Sequence, residues 1–465
     1  MPVLRLHDSS NRSKRDFVPL DASHVRLYAC GPTVHDLAHL GNARPVVAFD
    51  VLVRLLRSLY PKVAYARNVT DVDDKIIEAS RRTGEDMFAL TTRLLGRYRD
   101  DMATLGNLPP DVEPLATAHI PQMIALTRRL LERRHAYEVN GEVLFETATF
   151  PEYGRLSGRK PAELRAGARV AVTDGKRGSG DFVLWKPSAD DEPGWDSPWG
   201  RGRPGWHLEC SAMSAEHLGE TFDIHGGGHD LLFPHHENEV AQSRCAHGTA
   251  MMAAYWMHVG MLRVDGAKMS KSLGNFVTVH DLTDGLPDGG MALRLLMLGT
   301  HYRAALDFTR TALERATADL REMRRVVAET PLVVADPRMT AWAAAPLFGD
   351  LNTPLVLTRL RVLRDLEVRS LDGAVLWHSE WGNVAPGTAA ASLREVAGGL
   401  LGLDFVPQTL DRNADVDAEV ERLLTARTVA RQAGDWAVSD ALRGQLSVLG
   451  ITVKDGKERT AWTRT

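Results

Sequence analysis

The segment from Val25 to Ser58 most constrains what this chain can fold into. A strand-like run, Val25 to Cys30, leads through the turn Gly31-Pro32-Thr33 to a helical pattern, Ala43 to Ser58, with apolar residues at helical spacing. The motif His39-Leu40-Gly41-Asn42 precedes that pattern. A strand, a glycine-containing turn and a helix N-terminus form an anion site from backbone N–H groups and the helix dipole. The segment therefore predicts the first half of a nucleotide-binding α/β fold.

A second element far along the chain supplies cations that suit a polyphosphate. Only ten of the 56 basic residues are lysines, yet two of them fall within Lys268-Met269-Ser270-Lys271-Ser272. Ammonium groups are point charges for phosphate oxygens, and serines add short hydrogen bonds. Alone, this run is typical of a solvated basic loop, and His39 alone is typical of a helix cap. Their joint presence favours a phosphate site.

The two elements together resemble the signature of class I aminoacyl-tRNA synthetases, in which both contact ATP. In that class the first motif usually ends in histidine, and here Asn42 takes its place. Asparagine donates a neutral hydrogen bond to phosphate but carries no charge. Some other class I synthetases have asparagine there, so we expect activity to persist.

Composition limits the class of protein. At 465 residues the chain can form two or three domains, and 25% charged against 44% hydrophobic residues is the balance of a globular protein. No run approaches eighteen apolar residues, so we expect no membrane span, and Met1 to Lys14 lacks a secretory signal. Three cysteines indicate a reducing cytoplasm. Because the net charge is -4, any nucleic acid must be held by local patches.

Four metal-ligand side chains are scattered along the chain. Cys30 ends the first strand, Cys210 follows Gly205-Trp206-His207-Leu208-Glu209, and Pro234 begins a predicted helix on which His235 and Glu239 share one face. Two thiolates, an imidazole and a carboxylate make a four-ligand zinc site. An alternative is that the cysteines are inert core residues and that His235 and Glu239 belong to a charged helix face. Sequence spacing does not show whether Cys30 and Cys210 are close in space, so the two interpretations explain these residues equally well.

Six motifs, the lysine-serine run among them, resemble those of cysteinyl-tRNA synthetases, in that family's order and spacing, over nearly the whole chain. They are Cys30 to Asp36, Asn68 to Ile77, Gly205 to Met213, Asp223 to Gly228, Phe233 to Glu239 and Lys268 to Asn275. The resemblance implies one zinc ion per chain on Cys30, Cys210, His235 and Glu239. It implies cysteine contacts from Gly31, Thr70, Trp206 and His225. It also implies ATP contacts, with Mg²⁺ on the phosphates, from His39, Gly41, Asn42, Lys268 and Lys271.

The predicted fold class is α/β, with a doubly wound, Rossmann-like parallel sheet interrupted by an inserted module and followed by a helical bundle and a small tRNA-binding domain. The predicted boundaries are 1–115 and 206–305 for the halves of the catalytic domain, 116–205 for the connective module, 306–410 for the bundle and 411–465 for anticodon recognition. Within the C-terminal part, Leu371 to Thr388 has no regular pattern, and Val416 to Leu449 favours two helices before a short strand and a basic tail.

The activity implied by the resemblance is ATP-dependent activation of L-cysteine and its transfer to tRNA(Cys), by a monomer. One alternative is a paralogue that joins cysteine to an amino sugar, as in mycothiol synthesis; the C-terminal helices and basic tail argue against it. Another is a non-catalytic zinc protein that binds tRNA or a partner. The presence of His39, Lys268 and Lys271 argues against that.

Overall fold

The computed structural model describes residues 2–159, 175–270, 273–284, 286, 288–370 and 376–405, five single positions between 423 and 443, and residues 451–455 and 460–464. The chain divides into two compact units, Met1–Asp404 and Phe405–Thr465. Among the described residues, none of the helices combines the length and the apolar character that crossing a bilayer requires.

The first unit begins with a hairpin followed by the predicted strand, turn and helix. Its elements up to residue 104 are β1 (Arg5–Asp8), β2 (Ser13–Asp16), β3 (Val25–Ala29), α1 (Leu40–Leu59), β4 (Val63–Arg67), α2 (Asp74–Thr83) and α3 (Met87–Thr104). Most of α1 is buried, including the consecutive run 49–53, because the helix packs both against the sheet and against a later helix. β3 and β4 pair in parallel through this crossover.

A four-stranded antiparallel sheet interrupts the parallel one. The elements of this region are α4 (Ile120–Glu132), β5 (Ala136–Val139), β6 (Glu142–Phe145), β7 (Phe182–Pro187) and β8 (Gly202–Pro204), and the strands pair in chain order. Buried aromatic rings such as Phe145 and Trp185 form its core. The limits 116 and 205 for the inserted module stay predictions.

The chain then returns to the parallel sheet. The elements are α5 (Trp206–Leu218), β9 (Phe222–Gly228), α6 (Glu237–His247), β10 (Ala253–Val259), β11 (Leu262–Val264), β12 (Ala267–Lys268), α7 (Val279–Thr283), α8 (Gly289–Leu298) and β13 (Leu306–Phe308). The sheet order is β10-β9-β3-β4, and every pair is parallel. The predicted α/β class is confirmed by this sheet. Because β3 connects to β4 on one side and β9 flanks it on the other, the order reverses between β3 and β9, where open α/β sheets bind ligands.

Helices dominate the rest of the first unit. The elements are α9 (Arg310–Glu329), α10 (Pro337–Ala344), α11 (Thr353–Ser370), β14 (Leu376–His378), β15 (Gly382–Val384) and α12 (Thr388–Gly399). The expectation of an irregular stretch from Leu371 to Thr388 is wrong for its described part, because β14 and β15 form a hairpin. The buried carboxylate of Glu367 fixes the start of α12 by accepting the N–H groups of Gly387 and Ala390 at 2.6 and 3.0 Å.

Within the second unit the structure describes a short antiparallel hairpin, β16 (Ile451–Asp455) and β17 (Thr460–Arg464). The predicted short strand is therefore present. The predicted basic tail includes a second strand. The two helices expected over 416–449 lie outside the described residues, apart from single positions.

Candidate active site and metal centre

The carboxyl ends of β3 and β9 bring the first predicted site residues together. The backbone N–H of Cys30 donates to the carbonyl of Gly226 at 2.9 Å, which fixes the cysteine beside the glycine run that ends β9. His225 is fully buried in the same strand. Its Nδ1 lies 3.2 Å from the Tyr28 carbonyl and its Nε2 lies 2.7 Å from Oε2 of Glu239. Sheet topology thus places a thiol, an imidazole and a carboxylate at the switch point.

The four predicted metal ligands form one cluster. The ligand atoms of Cys30, Cys210, His235 and Glu239 all lie within 4.8 Å of one another. The two sulfur atoms are 3.7 Å apart, Sγ of Cys30 is 3.7 Å from Oε1 of Glu239, and Nε2 of His235 is 3.0 Å from the same oxygen. α6 begins at Glu237 rather than at Pro234, so His235 lies in the irregular turn before the helix and still reaches Glu239 in its first turn.

The donor set and its spacing fit zinc. Two sulfur atoms bound to zinc at about 2.3 Å with a tetrahedral angle lie about 3.8 Å apart, close to the observed sulfur–sulfur distance. Burial raises the pKa of the Cys30 thiol well above its usual range, and burial also raises the pKa of Cys210. A zinc ion held by these residues would reverse that effect, since coordination deprotonates a thiol.

A second arrangement shares two of these ligands. Cys30 and Glu239 also group with His225 and His236, and Nε2 of His236 lies 3.4 Å from the Cys30 sulfur. The Nδ1 atom of His236 faces Nε2 of His258 at 2.8 Å. Soft thiolates are the preferred ligands of zinc, so the group that contains both cysteines suits the metal better.

A cavity of about 520 Å³ opens beside the cluster. Trp206, His207 and Glu209, from the N-terminal end of α5, line one wall, and Phe233 lines another. Trp206 is 38% exposed and its ring stacks on His235, with the centroids 4.2 Å apart and the planes at 22°. The Trp206 ring therefore packs against the candidate metal ligand His235 from the cavity side, and its exposed part can contact a bound molecule.

The two other predicted cysteine contacts, Gly31 and Thr70, lie in the segments that follow β3 and β4. A β-carbon on Gly31 would stand 1.7 Å from the carbonyl oxygen of Asn68, so only glycine fits there. Thr70 is 2% exposed, its N–H donates to the Pro32 carbonyl at 3.0 Å, and its hydroxyl donates to Oε2 of Glu209 at 2.6 Å.

Glu209 was not among the site residues predicted from the sequence. Burial first, and nearby carboxylates next, raise its pKa well above the usual range. A signal was present, because Glu209 lies three residues after Trp206 and so shares its helix face.

The two signature motifs meet at the N-terminus of α1. The N–H of Leu40 donates to the Val277 carbonyl at 3.2 Å, and the N–H of Val279 donates to the Ala38 carbonyl at 2.9 Å. The rings of His39 and Phe276 contact edge to face, 5.2 Å apart. The chain just after the lysine-serine loop is thus paired with the chain that carries His39.

Gly41 shows how close the two motifs come. A β-carbon there would lie 2.9 Å from the His39 ring and 3.7 Å from the Met269 methyl group. Lys268 is exposed, and its carbonyl accepts the side-chain amide of Asn275 at 3.2 Å. Lys271 lies outside the described residues, so its predicted role stays a prediction.

Buried Arg44 anchors this end of α1. Its guanidinium donates to the carbonyls of Gly260 and Ala304, each at 2.7 Å, and burial lowers its pKa to about 10. The helix N-terminus is thereby tied to the segment that leads into the lysine-serine loop.

Asn42 takes part in the start of α1. Its Oδ1 accepts the N–H of His39 at 3.1 Å, as in a capping box. We expect Asn42→His to give equal or faster adenylate formation, because an imidazole adds positive charge near phosphate. The variant also loses a hydrogen bond worth about 1 kcal/mol, so its melting temperature falls by a few degrees. ATP–pyrophosphate exchange and thermal melting measure the two effects.

Asn42→Ala is the control, since it loses the same hydrogen bond and adds no imidazole. A more than tenfold loss of exchange in both variants would mean that the Asn42 amide has a role of its own and would contradict the expectation.

Two family models match this chain. The model described as tRNA synthetases class I (C) catalytic domain matches residues 16–318, and that of the cysteinyl-tRNA ligase anticodon binding domain matches residues 413–462. Cysteine–tRNA ligases of Acidiphilium cryptum and Rhodospirillum rubrum are each 50% identical to this chain. Those alignments cover 100% and 99% of the chain and all of each relative. The chain belongs to the cysteine–tRNA ligase family.

The activity follows from family membership. A cysteine–tRNA ligase is an aminoacyl-tRNA synthetase that forms the cysteine ester of tRNA for protein biosynthesis. Such an enzyme binds ATP and tRNA, and the predicted function is confirmed. The amino-sugar ligase is not favoured, because the relatives are matched over their whole length and the anticodon-binding model is present.

Solved structures add evidence on the fold alone. Methionyl-tRNA synthetase of Mycobacterium tuberculosis in complex with methionyl-adenylate aligns with a TM-score of 0.56 at 14% identity, over 85% of this chain and 94% of that one. An Agrobacterium radiobacter LeuRS ternary complex aligns with a TM-score of 0.56 at 11% identity, over 83% and 84%. The predicted class I fold is confirmed by these likenesses.

Proposed function

We propose that this cysteine–tRNA ligase selects its amino acid with one zinc ion held by Cys30, Cys210, His235 and Glu239. The observation that supports this is the cluster of two sulfurs, one imidazole and one carboxylate, three of whose four residues are buried, beside the cavity. When bound, the zinc would ligate the thiolate of cysteine. Serine differs from cysteine by one atom, and an ordinary pocket separates such close analogues poorly. Thiolate is a much better zinc ligand than a hydroxyl, so selection requires no editing site.

The side chains near the four metal ligands would orient the amino acid. Thr70 and His225 have fixed donors and acceptors on the protein, and Trp206 offers a flat apolar face above the metal ligands. Gly31 lets the chain after Cys30 pack directly against the Asn68 carbonyl, which fixes the backbone at this point. This arrangement pre-organises the substrate carboxylate, which is already a nucleophile and needs no general base.

The two signature motifs would stabilise the negative charge on the phosphates of ATP. The carboxylate of cysteine attacks the α-phosphorus of ATP, and pyrophosphate leaves. The N-terminus of α1, which carries His39, Gly41 and Asn42, would supply the positive end of the helix dipole, while Lys268 and Lys271 would add charge. Mg²⁺ would accompany the phosphates. The terminal ribose of tRNA(Cys) then takes the aminoacyl group.

Metal analysis of the purified protein tests the proposal together with ATP–pyrophosphate exchange at matched cysteine and serine concentrations. We expect one zinc per chain and exchange with cysteine only. Absence of zinc from an active preparation would overturn the proposed basis of selection. The monomeric state and cytoplasmic location also stay proposals, and sedimentation of the purified chain measures the first.

Truncation after residue 410 should separate the two steps. Every predicted metal and ATP residue lies upstream, and the last turn of the first unit is held by Arg324, which donates to the Asp404 carbonyl at 2.8 Å. We therefore expect ATP–pyrophosphate exchange close to that of the full chain and a strong loss of tRNA charging. Both rates come from the same two preparations.

The salt dependence of tRNA binding is the companion measurement, since contacts to phosphate weaken as salt rises. Equal charging by the truncated and full chains would contradict a role for residues 411–465 in tRNA recognition.

A further inference from the structure

Segment 150–157, which lies between β6 and β7 in the chain, is bound to the helix that carries the candidate metal ligand Glu239. The carboxylate of Glu237, the first residue of α6, accepts the N–H of Gly154 at Oε1 and the N–H of Ser157 at Oε2, each at 2.8 Å. Glu237 is fully buried. A buried carboxylate requires charge-assisted hydrogen bonds of this kind, so the segment and the start of α6 are held together.

Further contacts join the same two pieces of chain. The hydroxyl of Tyr153 donates to Oδ1 of Asn238, and Arg244, two turns along α6, donates to Glu152 at 2.7 Å. The Arg244 guanidinium also lies over the Phe150 ring, 5.0 Å from its centroid. Segment 150–157 therefore follows one side of α6 from its first residue.

Glu237 lies between the two candidate ligands in the chain and faces away from one of them. His235 precedes Glu237 by two residues, and Glu239 follows it by two. Because each residue advances a helix by about 100°, Glu237 and Glu239 point to nearly opposite sides of α6. The turn that carries His235 is not helical throughout, since Phe233 has an extended backbone (φ -143°, ψ 131°). The contacts of Glu237 with segment 150–157 therefore fix α6 from the side opposite to Glu239.

We infer that Glu237 is a positioning residue for the metal centre, which uses the N–H groups of segment 150–157 to hold His235 and Glu239 where both can bind one zinc ion. This inference rests on the proposed function, because it requires zinc on those ligands. The segment connects two strands of the antiparallel sheet that interrupts the parallel one. Zinc binding thus depends on a part of the chain that contains no predicted metal ligand.

The test is a pair of matched substitutions, Glu237→Gln and Glu367→Gln. Glu367, on α11, is 1% exposed and also accepts two backbone N–H groups, but no predicted metal ligand lies on that helix. Glutamine keeps the shape of glutamate and has one acceptor oxygen instead of two, so each variant leaves one N–H without its partner. Tyr153→Phe is a third variant, which removes only the hydroxyl that donates to Asn238.

Two quantities are measured on the purified full-length chain. They are the zinc dissociation constant, from competition with a chelator, and the melting temperature. For Glu237→Gln we expect zinc binding about 10- to 100-fold weaker than in the parent, the usual effect of losing a contact that orients metal ligands. Both glutamine variants should melt a few degrees lower, because each leaves a buried N–H unsatisfied. Glu367→Gln should keep the zinc affinity of the parent, and Tyr153→Phe should weaken zinc binding less than Glu237→Gln does.

Parent-like zinc affinity in Glu237→Gln, or equal weakening in Glu367→Gln, would overturn the inference. If Glu237→Gln does not fold, unchanged zinc affinity in Tyr153→Phe would overturn it instead. A parent protein that contains no zinc would contradict the proposed function, so the two failures are distinguishable.

Discussion

Cys210→Ala removes the zinc and abolishes cysteine activation together. Cys210 is 1% exposed and its sulfur lies 3.7 Å from that of Cys30, so no water ligand replaces it without a rearrangement of the core. Only three protein ligands would remain for the metal, which would therefore bind too weakly to be retained. Without the metal, the thiolate of the cysteine substrate would have no ligand to bind. Metal analysis should fall from one zinc per chain to none, and ATP–pyrophosphate exchange should fall to background.

Cys245→Ala is the matched control. Cys245 is also buried, on α6, but lies outside the metal cluster, so that variant should keep both zinc and activity. Loss of zinc from both variants would point to a general effect of removing a buried thiol.

Two histidine variants decide between the alternative ligand groups. His235→Ala should lose zinc, because its Nε2 lies 3.0 Å from the shared oxygen of Glu239. His236→Ala should retain it. The reverse result would assign the metal to Cys30, His225, His236 and Glu239 and would contradict the predicted ligand set.

Lys271→Ala lowers adenylate formation by about 10²- to 10³-fold, the effect of removing one preorganised donor to a developing charge. That corresponds to about 3–4 kcal/mol of transition-state stabilisation. The melting temperature should not change, because a lysine in a loop rich in lysine and serine contributes little to a core. ATP–pyrophosphate exchange measures the first effect, and thermal melting measures the second.

Arg263→Ala controls for the loss of a nearby cation. Arg263 is exposed on β11, next to the strand that ends at Lys268, and has no predicted contact with ATP. Its exchange rate should match the parent. An unchanged rate in Lys271→Ala would place the phosphate site elsewhere.

The sequence predicted local structure well wherever a short segment contains its own signal. The run Val25 to Ala29 is followed by a turn and then by apolar residues at helical spacing, and the structure forms β3 and α1 there. The irregular interpretation of Leu371 to Thr388 failed because β14 and β15 are too short for periodicity to show. Their neighbour α12 begins where the Glu367 carboxylate, on another helix, accepts its N–H groups, and no local pattern shows that.

The candidate site was harder to predict for the same reason. The distance between the sulfurs of Cys30 and Cys210 depends on how α5 packs against β3, so spacing left it open and only the family resemblance joined the two residues. The contact between Glu209 and Thr70 spans 139 residues of chain and has no motif of its own. Long-range contacts of this kind require the sheet order first.

The separation of the two sulfur ligands along the chain has a consequence for biosynthesis. Cys30 precedes Cys210 by 180 residues, so at roughly 5–20 residues per second the ribosome makes the second ligand roughly 10–40 s after the first. Over that interval β9 does not yet exist, and one edge of β3 has no partner strand. Until the inserted sheet and β9 have been translated, the Cys30 thiol must therefore stay reduced. Over the same time the unpaired edge of β3 must be kept from pairing with other chains.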